Sequence, residues 1–433
     1  VALPWIEEKQ KHLPSNYDVG YDRLRSLAKR LRSDPELLDG YRDILKAQQE
    51  RQIIENVPVN EIETTNSVHY LPQHPVVKES SSTTKVRIVY DAAAKKNRLS
   101  FSLNECLLRG PVILPDLCQL VMRMRVHETV VISDIEKAFL QVGLQPEHRD
   151  VTRFLWFKND TDPAIPLKDN IEVYRFARVN FGVISSPFLL EATLDHHLTQ
   201  ENSSFAESLR NDIYVDNVIS GVDEQDPVKY YKDLKALFQR AGMKSQEFCS
   251  NSTRLMDAIA DCDRVKQTDV KVLGLKWDSQ TDDTLRLTPS GKVGSMGTPT
   301  KRRVLQAIAS MFDPMGFYQP VLLPAKWFLQ KLWNHGYSWD KPLDGALRDE
   351  WSTLQTCLCQ LFAHRIPRYI GNVRAETTLA VFSDASGRAY ATAVYLRCRQ
   401  PDGTWSSNLI FSKTRLAATK NSANLPRLEL LGA

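Results

Sequence analysis

Two short apolar runs flank a pair of polar residues in the stretch Asn211-Asp212-Ile213-Tyr214-Val215-Asp216-Asn217-Val218-Ile219-Ser220-Gly221. Branched and aromatic residues around two turn-prone residues predict a tight β-hairpin with Asp216 and Asn217 at its tip. An acidic side chain is thereby held at the end of a strand. The simpler alternative is a surface hairpin in which Asp and Asn provide only turn chemistry.

A second carboxylate ends another predicted strand, earlier in the chain. Val130-Val131-Ile132-Ser133-Asp134 is an apolar run that closes with an acid. Two strand-end acids on one sheet would hold a pair of divalent metal ions between them, and in-line phosphoryl transfer requires that arrangement. The pair Asp134 and Asp216 therefore favours a catalytic hairpin over a simple turn.

Several motifs, in order along the chain, resemble those of reverse transcriptases. The hairpin resembles the Tyr-x-Asp-Asp motif, with Asn217 where the family has its second Asp, and Asp134 is placed like the first metal-binding Asp of the polymerase palm. Two further passages resemble the polymerase region of the BEL/Pao-type LTR retrotransposon Pol polyprotein: Thr83-Thr84-Lys85-Val86-Arg87, and Phe181-Gly182 followed by Ser185-Ser186-Pro187-Phe188. The resemblance covers nearly the whole chain.

The resemblance implies an α+β fold, in which a right-hand polymerase (fingers, ferredoxin-like palm, thumb and connection) is followed by a truncated RNase H-like α/β domain. The order strand, helix, hairpin, helix, strand between Thr129 and Phe248 agrees with a split βαβ palm. We expect an N-terminal helical segment at 1–66, part of the fingers at 67–128, the palm with inserted fingers elements at 129–250, a primer-grip and thumb-like region at 251–312, a connection at 313–372 and an incomplete RNase H-like domain at 373–433.

Lys85 and Arg87 are candidate nucleotide-binding cations. The run from Lys85 to Asp91 alternates like a strand, which puts these two side chains on one face, about 7 Å apart. Such a pair suits a triphosphate, whereas an isolated strand showing two cations to water is the alternative. In reverse transcriptases a similar fingers strand holds the phosphates of the incoming nucleotide, and the two positions match by resemblance.

Three further residues are expected to contact the nucleotide or the template. The family has an aromatic residue five positions after the first Asp that excludes a 2′-hydroxyl, so Phe139 is expected to favour deoxynucleotides. An ordinary core aromatic is the alternative for Phe139. Phe181 and Gly182 resemble the nucleotide-and-template motif, in which the glycine lets the backbone approach the base pair.

Two predicted helices carry clusters of cations. The helix that contains Leu24 and Leu31 bears several basic residues, for which a solvated face is the simpler account and an RNA-contacting face the alternative. A later helix starts at Thr300-Lys301-Arg302-Arg303, where cations in the first turn oppose the helix macrodipole. An anionic partner such as a nucleic-acid backbone would explain that second cluster.

The C-terminal part repeats the pattern of an apolar run that ends in an acid. Leu379 to Asp384 forms such a run, two more strands follow, and a helix begins near Pro426 and contains Glu429. This order resembles the start of an RNase H-like domain, with Asp384 and Glu429 in its first two metal-ligand positions. The remaining acids would lie beyond Ala433, so we expect this chain not to hydrolyse an RNA/DNA hybrid.

Composition limits the classes of protein that the sequence fits. The chain has 433 residues, enough for two to four subdomains. Its net charge is only +4, so a nucleic-acid site must come from local clustering of cations. Seven cysteines without regular spacing indicate reduced thiols inside a cell. We see neither a signal-peptide pattern nor an apolar run near the ~20 residues that span a bilayer.

The resemblance to reverse transcriptases implies an RNA-directed DNA polymerase that adds dNTPs to a primer 3′-hydroxyl with two Mg²⁺ ions, or with Mn²⁺ in their place. The predicted partners are an RNA template, a DNA primer, dNTPs and, by resemblance, the other polyprotein domains (protease, the rest of RNase H, integrase), in a cytoplasmic particle or the nucleus and without a membrane. Val1 in place of Met indicates a piece of a longer polyprotein. Because Asn217 removes one negative charge, the alternative is a decayed or repurposed relative that binds nucleic acid without synthesis.

Overall fold

The computed structural model describes residues 1–62, 67–77, 86–159, 167–222, 226–267, 269–288, 291–294, 297–371, 373, 376–400, 402–418 and 424–433. Lys85, one of the two predicted phosphate-binding cations, lies outside these described residues. None of the helices within these ranges has both the length and the apolar character that crossing a membrane requires.

Helices and strands alternate along the chain. The helices are α1 Glu7–Gln10, α2 Tyr17–Arg32, α3 Pro35–Glu50, α4 Val59–Ile62, α5 Leu103–Cys106, α6 Leu117–Val126, α7 Ala138–Gln141, α8 Ser186–Glu201, α9 Ser204–Leu209, α10 Pro227–Arg240, α11 Thr253–Ala258, α12 Lys301–Ala309, α13 Gln319–Asn334, α14 Gly345–Gln360 and α15 Leu425–Gly432. The strands are β1 Ile54–Asn56, β2 Gln73–Val77, β3 Val86–Tyr90, β4 Val130–Ile135, β5 Arg153–Phe157, β6 Ile171–Phe176, β7 Ile213–Tyr214, β8 Asn217–Gly221, β9 Ser245–Ser250, β10 Asp269–Val272, β11 Leu275–Asp278, β12 Thr284–Leu287, β13 Ile366–Pro367, β14 Thr377–Ala385, β15 Ala389–Arg399 and β16 Trp405–Leu416.

The chain divides into two compact units, which we describe separately. The first unit comprises Val1–Leu114, Ile135–Arg210 and Arg240–Met243, and the second comprises Pro115–Asp134, Asn211–Gln239 and Lys244–Ala433.

The first unit is built on short antiparallel sheets covered by helices. Strands β1, β6 and β5 form one sheet in that order, and β2 pairs with β3 in a hairpin. Helix α2 packs against β5 and β2, while α3 packs against β1 and β3. Helix α3 begins at Pro35, where the Asp34 side chain accepts a hydrogen bond from the backbone N–H of Leu37 and Pro35 occupies the first turn.

Glu191 is an acid buried inside the first unit, on α8. Its side chain is only 8% exposed, and burial raises the pKa of its carboxyl to about 7. A raised native pKa means that the folded state holds its proton more tightly than the unfolded state does. Through Glu191, the free energy of unfolding is therefore greatest below the ordinary carboxyl pKa near 4.5, and it falls as the pH rises toward 7.

Replacing Glu191 with Gln is expected to stabilise the protein at pH 8 by about 2–3 kcal/mol and to have little effect at pH 4.5. Urea unfolding at a series of pH values measures this difference. Glu207→Gln on α9, an exposed acid of the same unit, is the control and should leave the pH dependence unchanged. An equal effect of Glu191→Gln at both pH values would contradict the burial argument.

The second unit contains the predicted palm sheet. Its strands lie in the order β7, β8, β4, β9, and β4 pairs antiparallel with β8. Val130 and Ile132 of β4 and Ile219 of β8 join one hydrophobic core with Trp277 and with residues of α12 to α14. One face of the palm sheet is thus buried, and the same face continues to Asp134 at the end of β4.

The second unit also holds the C-terminal sheet. Strands β14, β15 and β16 form an antiparallel sheet, against which α15 and α13 pack. Arg368 is fully buried and donates two hydrogen bonds to the Asp283 carboxylate and others to the carbonyl oxygens of Met124, His127 and Glu128, which lie just before β4. This saturated guanidinium ties the residues after β13 to the end of α6 and the segment that leads into β4.

Candidate active site

The hairpin predicted from the sequence forms, but its tip is one residue earlier than expected. Tyr214 pairs with Asn217, so Val215 and Asp216 are the two turn residues and Asn217 is the first residue of β8. Val215 has a φ of 60°, in the left-handed region that two-residue hairpin turns require at their first position. A β-branched residue there is strained by about 1–3 kcal/mol. The sequence reasoning missed this because Val is a poor turn former.

Asp134 lies directly across from the hairpin. The register of β4 and β8 pairs Asp134 with Asn217, one position beyond the pair formed by Ser133 and Val218. Side chains of directly opposed residues in an antiparallel sheet point to the same face, with Cβ atoms about 4.5–5.5 Å apart. The amide of Asn217 in turn donates from Nδ2 to Oδ1 of Asp216 at 2.7 Å. The register therefore puts Asp134 beside the hairpin turn that contains Asp216, while the catalytic roles of Asp134, Asp216 and Asn217 stay predictions.

Asp216 is half-buried, and its surroundings affect its charge. Burial raises the pKa of its carboxyl, while its own backbone N–H and the Asn217 amide donate hydrogen bonds that oppose the rise. Because Asn217 uses its N–H group toward Asp216, its amide oxygen is left for another partner.

An ion pair anchors the base of the hairpin. Asp212, which precedes β7 and is only 6% exposed, accepts a hydrogen bond from Arg123 of α6 at 2.7 Å. Burial raises the pKa of the Asp212 carboxyl, and both Ser220 and Arg123 oppose that rise. The pair holds the hairpin against α6, and no sequence motif pointed to it.

The donor set at this strand end suits an oxygen-preferring divalent cation. Among the described residues there is no group of three or more His, Cys, Asp or Glu side chains that could hold a metal ion. Asp134 and Asp216 supply two carboxylates, and Asn217 supplies an amide oxygen. Two carboxylates with substrate phosphates are how proteins commonly bind Mg²⁺. A half-buried carboxyl whose pKa is raised also benefits from a nearby cation.

The first unit brings two of the other predicted residues into contact. Phe139 of α7 is 8% exposed, and its ring meets that of Phe181 edge-on, with centroids 4.7 Å apart. Phe181 is 51% exposed, so the pair presents one aromatic face to solvent. Arg87 is an exposed residue of β3, opposite Val76 of β2.

Gly182 follows Phe181, and contacts within the first unit require a glycine at this position. Its φ is +99°, and a Cβ atom at this position would lie 2.4 Å from the carbonyl oxygen of Tyr90, the last residue of β3. The strand that carries Arg87 therefore packs directly against the Phe181 loop. The structure thus provides a steric reason for Gly182 beside the predicted approach to a base pair.

Asn104 is a residue that the sequence analysis missed. Its Nδ2 donates to the carbonyl oxygen of Gly182 at 3.0 Å, and its Oδ1 accepts from the backbone N–H of Ile184 at 2.8 Å. One side chain thereby holds both sides of the loop that carries Phe181. Asn104 is distant in sequence from that loop and belongs to no motif, so nothing in the single sequence signalled it.

Replacing Gly182 with Ala is expected to cost about 2–4 kcal/mol of folding free energy, because a left-handed φ and a backbone clash act together. Urea unfolding measures this cost. Gly242→Ala is the matched control in the same unit, since its φ is also positive (+68°) but nothing lies within 4 Å of the added Cβ. We expect it to cost only about 1 kcal/mol. Equal losses for both variants would contradict the close approach of Tyr90.

The C-terminal acids lie on neighbouring elements of the second unit. Asp384 is an exposed residue of β14 and Glu429 an exposed residue of α15. Helix α15 packs on β14 through its last turn, where a Cβ on Gly432 would lie 3.6 Å from the carbonyl oxygen of Asp384. This agrees with the predicted order of strands and helix. The metal-ligand roles of Asp384 and Glu429 stay predictions.

Comparison with protein families identifies the C-terminal part of the chain. Residues 300–433 match the family described as the Pao retrotransposon-like RNaseH-like domain. This match confirms the resemblance to BEL/Pao-type elements that the sequence motifs suggested. No curated protein matches the chain significantly in sequence.

Solved structures resemble the chain over most of its length. A foamy viral protease-reverse transcriptase dRH in complex with dsDNA has a TM-score of 0.58 and 14% identity, covering 91% of this chain and 58% of that one. The foamy viral protease-reverse transcriptase with an RNA/DNA hybrid gives 0.55 and 13% identity, with 92% and 45% covered. The complex of that protein with dsDNA gives 0.56 and 13% identity, with 88% and 66% covered.

These comparisons confirm the predicted fold class. The chain has the mixed helix and strand fold of a retroviral reverse transcriptase, with an RNase H-like domain at its C-terminal end. It spans 45% to 66% of the length of the three foamy viral proteins. The boundaries of the individual segments stay predictions.

Proposed function

We propose that this chain, whose residues 300–433 match the Pao retrotransposon-like RNaseH-like domain and whose fold is that of a reverse transcriptase, is an RNA-directed DNA polymerase. The observation that supports the proposal is the pairing of Asp134 with Asn217, the residue that follows Asp216 and donates a hydrogen bond to it. Foamy viral proteins of this fold bind dsDNA and an RNA/DNA hybrid, which supports nucleic acid as the partner.

Asp134 and Asp216 would hold two Mg²⁺ ions, or Mn²⁺ ions, and the Asn217 amide oxygen would be a weaker third ligand. When bound, the ions lower the pKa of a primer 3′-hydroxyl and neutralise the pyrophosphate that leaves. The role of the protein would be to keep the carboxylates of Asp134 and Asp216 ionised and fixed in position. Arg123 assists, because its ion pair with Asp212 keeps the hairpin in place.

Residues of the first unit are proposed to contact the incoming deoxynucleoside triphosphate. Arg87, together with Lys85, would pair with its phosphates, since a guanidinium and an ammonium both match phosphate oxygens. The exposed ring of Phe181 offers a surface for stacking a base. Asn104 and Gly182 would position that ring through the loop that they hold.

Phe139 is the proposed steric gate against ribonucleotides. Phe139→Val is expected to reduce the preference for dNTPs over rNTPs by a factor on the order of 100, about 2.7 kcal/mol. Single-nucleotide incorporation with dNTP and rNTP in parallel gives the ratio of kcat/KM values. If Phe139 is only a core aromatic, Phe139→Val lowers stability and leaves that ratio unchanged.

Primer extension on an RNA template with dNTPs and Mg²⁺ tests the proposed function. We expect synthesis by the chain and much faster synthesis by Asn217→Asp. The missing charge at Asn217 favours one second candidate, a decayed or repurposed nucleic-acid-binding relative. Absence of synthesis by both proteins, when both are folded and bind the primer-template, would favour that candidate.

A further inference from the structure

A ridge of tyrosines and cations runs along helix α2 of the first unit. Tyr17, Tyr21, Arg25 and Lys29 recur at every fourth position, and Arg32 lies beside the last of them. Side chains four residues apart are neighbours on a helix surface, so these residues form one continuous row. The row spans most of a helix of 16 residues, which is about 24 Å long.

The side of α2 next to this row, which Tyr17 and Tyr21 border, holds the helix in place. It buries Leu24, Leu27, Ala28 and Leu31, and packs against β5, β2 and α3. A Cβ on Gly20 would lie 3.3 Å from Cβ of Tyr70, so the helix approaches the sheet closely. The helix that carries the row is therefore held in place by this packing.

The aromatic end of the row is partly open to solvent. Tyr17 is 38% exposed, and its ring stacks on that of Tyr21 with centroids 6.4 Å apart. The ring of Tyr70 meets Tyr17 edge-on at 5.2 Å and supports it from below. Tyrosines held in this way offer flat faces on which unpaired bases can stack.

The cationic end of the row is exposed and weakly neutralised. Arg25 pairs with Asp22 at 3.0 Å, but both side chains are about 60% exposed, and such surface pairs contribute only about 0–1 kcal/mol. Lys29 and Arg32 are exposed and form no ion pair with an acid in the described part of the chain. Cations in a last turn also complement the helix dipole, but that effect explains neither Arg25 nor the tyrosines.

The other basic helix start, at α12, has the opposite character. Lys301 is buried, with Nζ 3.3 Å from the ring centroid of Trp333, and it donates to the carbonyl oxygen of Tyr337 at 3.0 Å. Arg302 forms two hydrogen bonds with the Asp340 carboxylate. Lys301 and Arg302 thus have partners within the chain, and an anionic partner for α12 stays a prediction. In the described part of the chain, the cations of the row on α2 form far fewer ion pairs and hydrogen bonds with other side chains.

We infer that the row Tyr17, Tyr21, Arg25, Lys29 and Arg32 binds a single-stranded nucleic acid, with the cations on its phosphates and the tyrosines against its bases. Aromatic and basic side chains on one face suit an unpaired strand, because both its backbone and its bases are open to contact. This site goes beyond the proposed chemistry and rests on the proposed function only in the choice of partner.

Fluorescence anisotropy with a labelled 20-nucleotide oligo(dT), titrated with the full chain over a range of KCl concentrations, tests the inference. The variant is R25Q/K29Q/R32Q, and the control is K11Q/K46Q/K158Q, which removes the same charge from exposed lysines elsewhere in the first unit. For three lost phosphate contacts, we expect the slope of log K against log[KCl] to fall by about 2. Affinity at 0.1 M KCl should fall on the order of tenfold to a hundredfold, and the control should change little.

Tyr21→Ala is expected to weaken binding about tenfold without changing the salt slope, because stacking is not ionic. Equal affinity and slope for R25Q/K29Q/R32Q and its control would overturn the site. An equal loss of affinity for a blunt 20-base-pair duplex would overturn the assignment to single strands. The assay contains no dNTP and works equally with Asp216→Ala protein, so a failure of the polymerase proposal would not be mistaken for a failure of this one.

Discussion

Asn217→Asp is expected to raise the rate of primer extension by a factor on the order of hundreds, because several kcal/mol of favourable charge is restored beside two dications and a triphosphate. In the present chain, the Asn217 amide donates to Oδ1 of Asp216 at 2.7 Å. In the absence of metal, this hydrogen bond between an amide and a carboxylate is favourable. When metal is bound, the Asn217 amide supplies less negative charge to the site than a carboxylate at this position would.

The same substitution should destabilise the metal-free protein. A second carboxylate in place of the amide would face Asp216 at hydrogen-bond distance, and like charges so close raise the pKa of one of the pair. We therefore expect a lower melting temperature for Asn217→Asp in EDTA and a larger gain of stability on adding Mg²⁺ than the parent chain shows. Thermal unfolding in EDTA and in 10 mM Mg²⁺ measures both.

Asn217→Ala separates the charge of residue 217 from its hydrogen bond. It removes the donor to Asp216 and supplies no ligand, so synthesis should be slower than with Asn217. A variant Asn217→Asp that is no faster than the parent, although its stability responds to Mg²⁺, would contradict the claim that the missing charge limits the rate.

Asp216→Asn is expected to reduce synthesis by a factor of about 10³ or more, since it removes one of the two carboxylates that are proposed to hold the metal ions. The loss should appear in kcat, while the affinity for primer-template stays within a few-fold, because the residue is proposed to act on the reacting groups. Single-turnover extension and a separate binding titration distinguish the two effects.

Asp257→Asn is the matched control for Asp216→Asn. Asp257 is an exposed acid of α11 in the same unit, so its loss changes the net charge equally. It should leave both kcat and affinity unchanged. Comparable synthesis by Asp216→Asn and Asp257→Asn would exclude Asp216 from catalysis.

The sequence was sufficient to predict the palm because its signals are local. Short apolar runs predicted β4 and β8, and the acid beside each run was visible in the sequence. The exact turn was not predictable, because Val215 occupies a left-handed position that local propensity assigns to Gly or Asn. Tertiary pairing of Tyr214 with Asn217 overrides that preference.

Residues that support the site from a distance were not accessible to sequence reasoning. Asn104 and Arg368 act through backbone carbonyls and amides far along the chain, and no residue pattern encodes such a contact. The row on α2 was predictable from the sequence only in part. Its charges were visible in the sequence, but their exposure and the contrast with the compensated Lys301 required the fold.

The central claim is that Asp134 and Asp216 share metal ions. The most direct measurement is anomalous diffraction from crystals of the chain with Mn²⁺, a primer-template whose primer lacks a 3′-hydroxyl, and dNTP. The account predicts Mn²⁺ peaks with ligands from both side chains and from the triphosphate. Mn²⁺ bound by only one of the two carboxylates, or bound elsewhere while both remain unliganded, would contradict it.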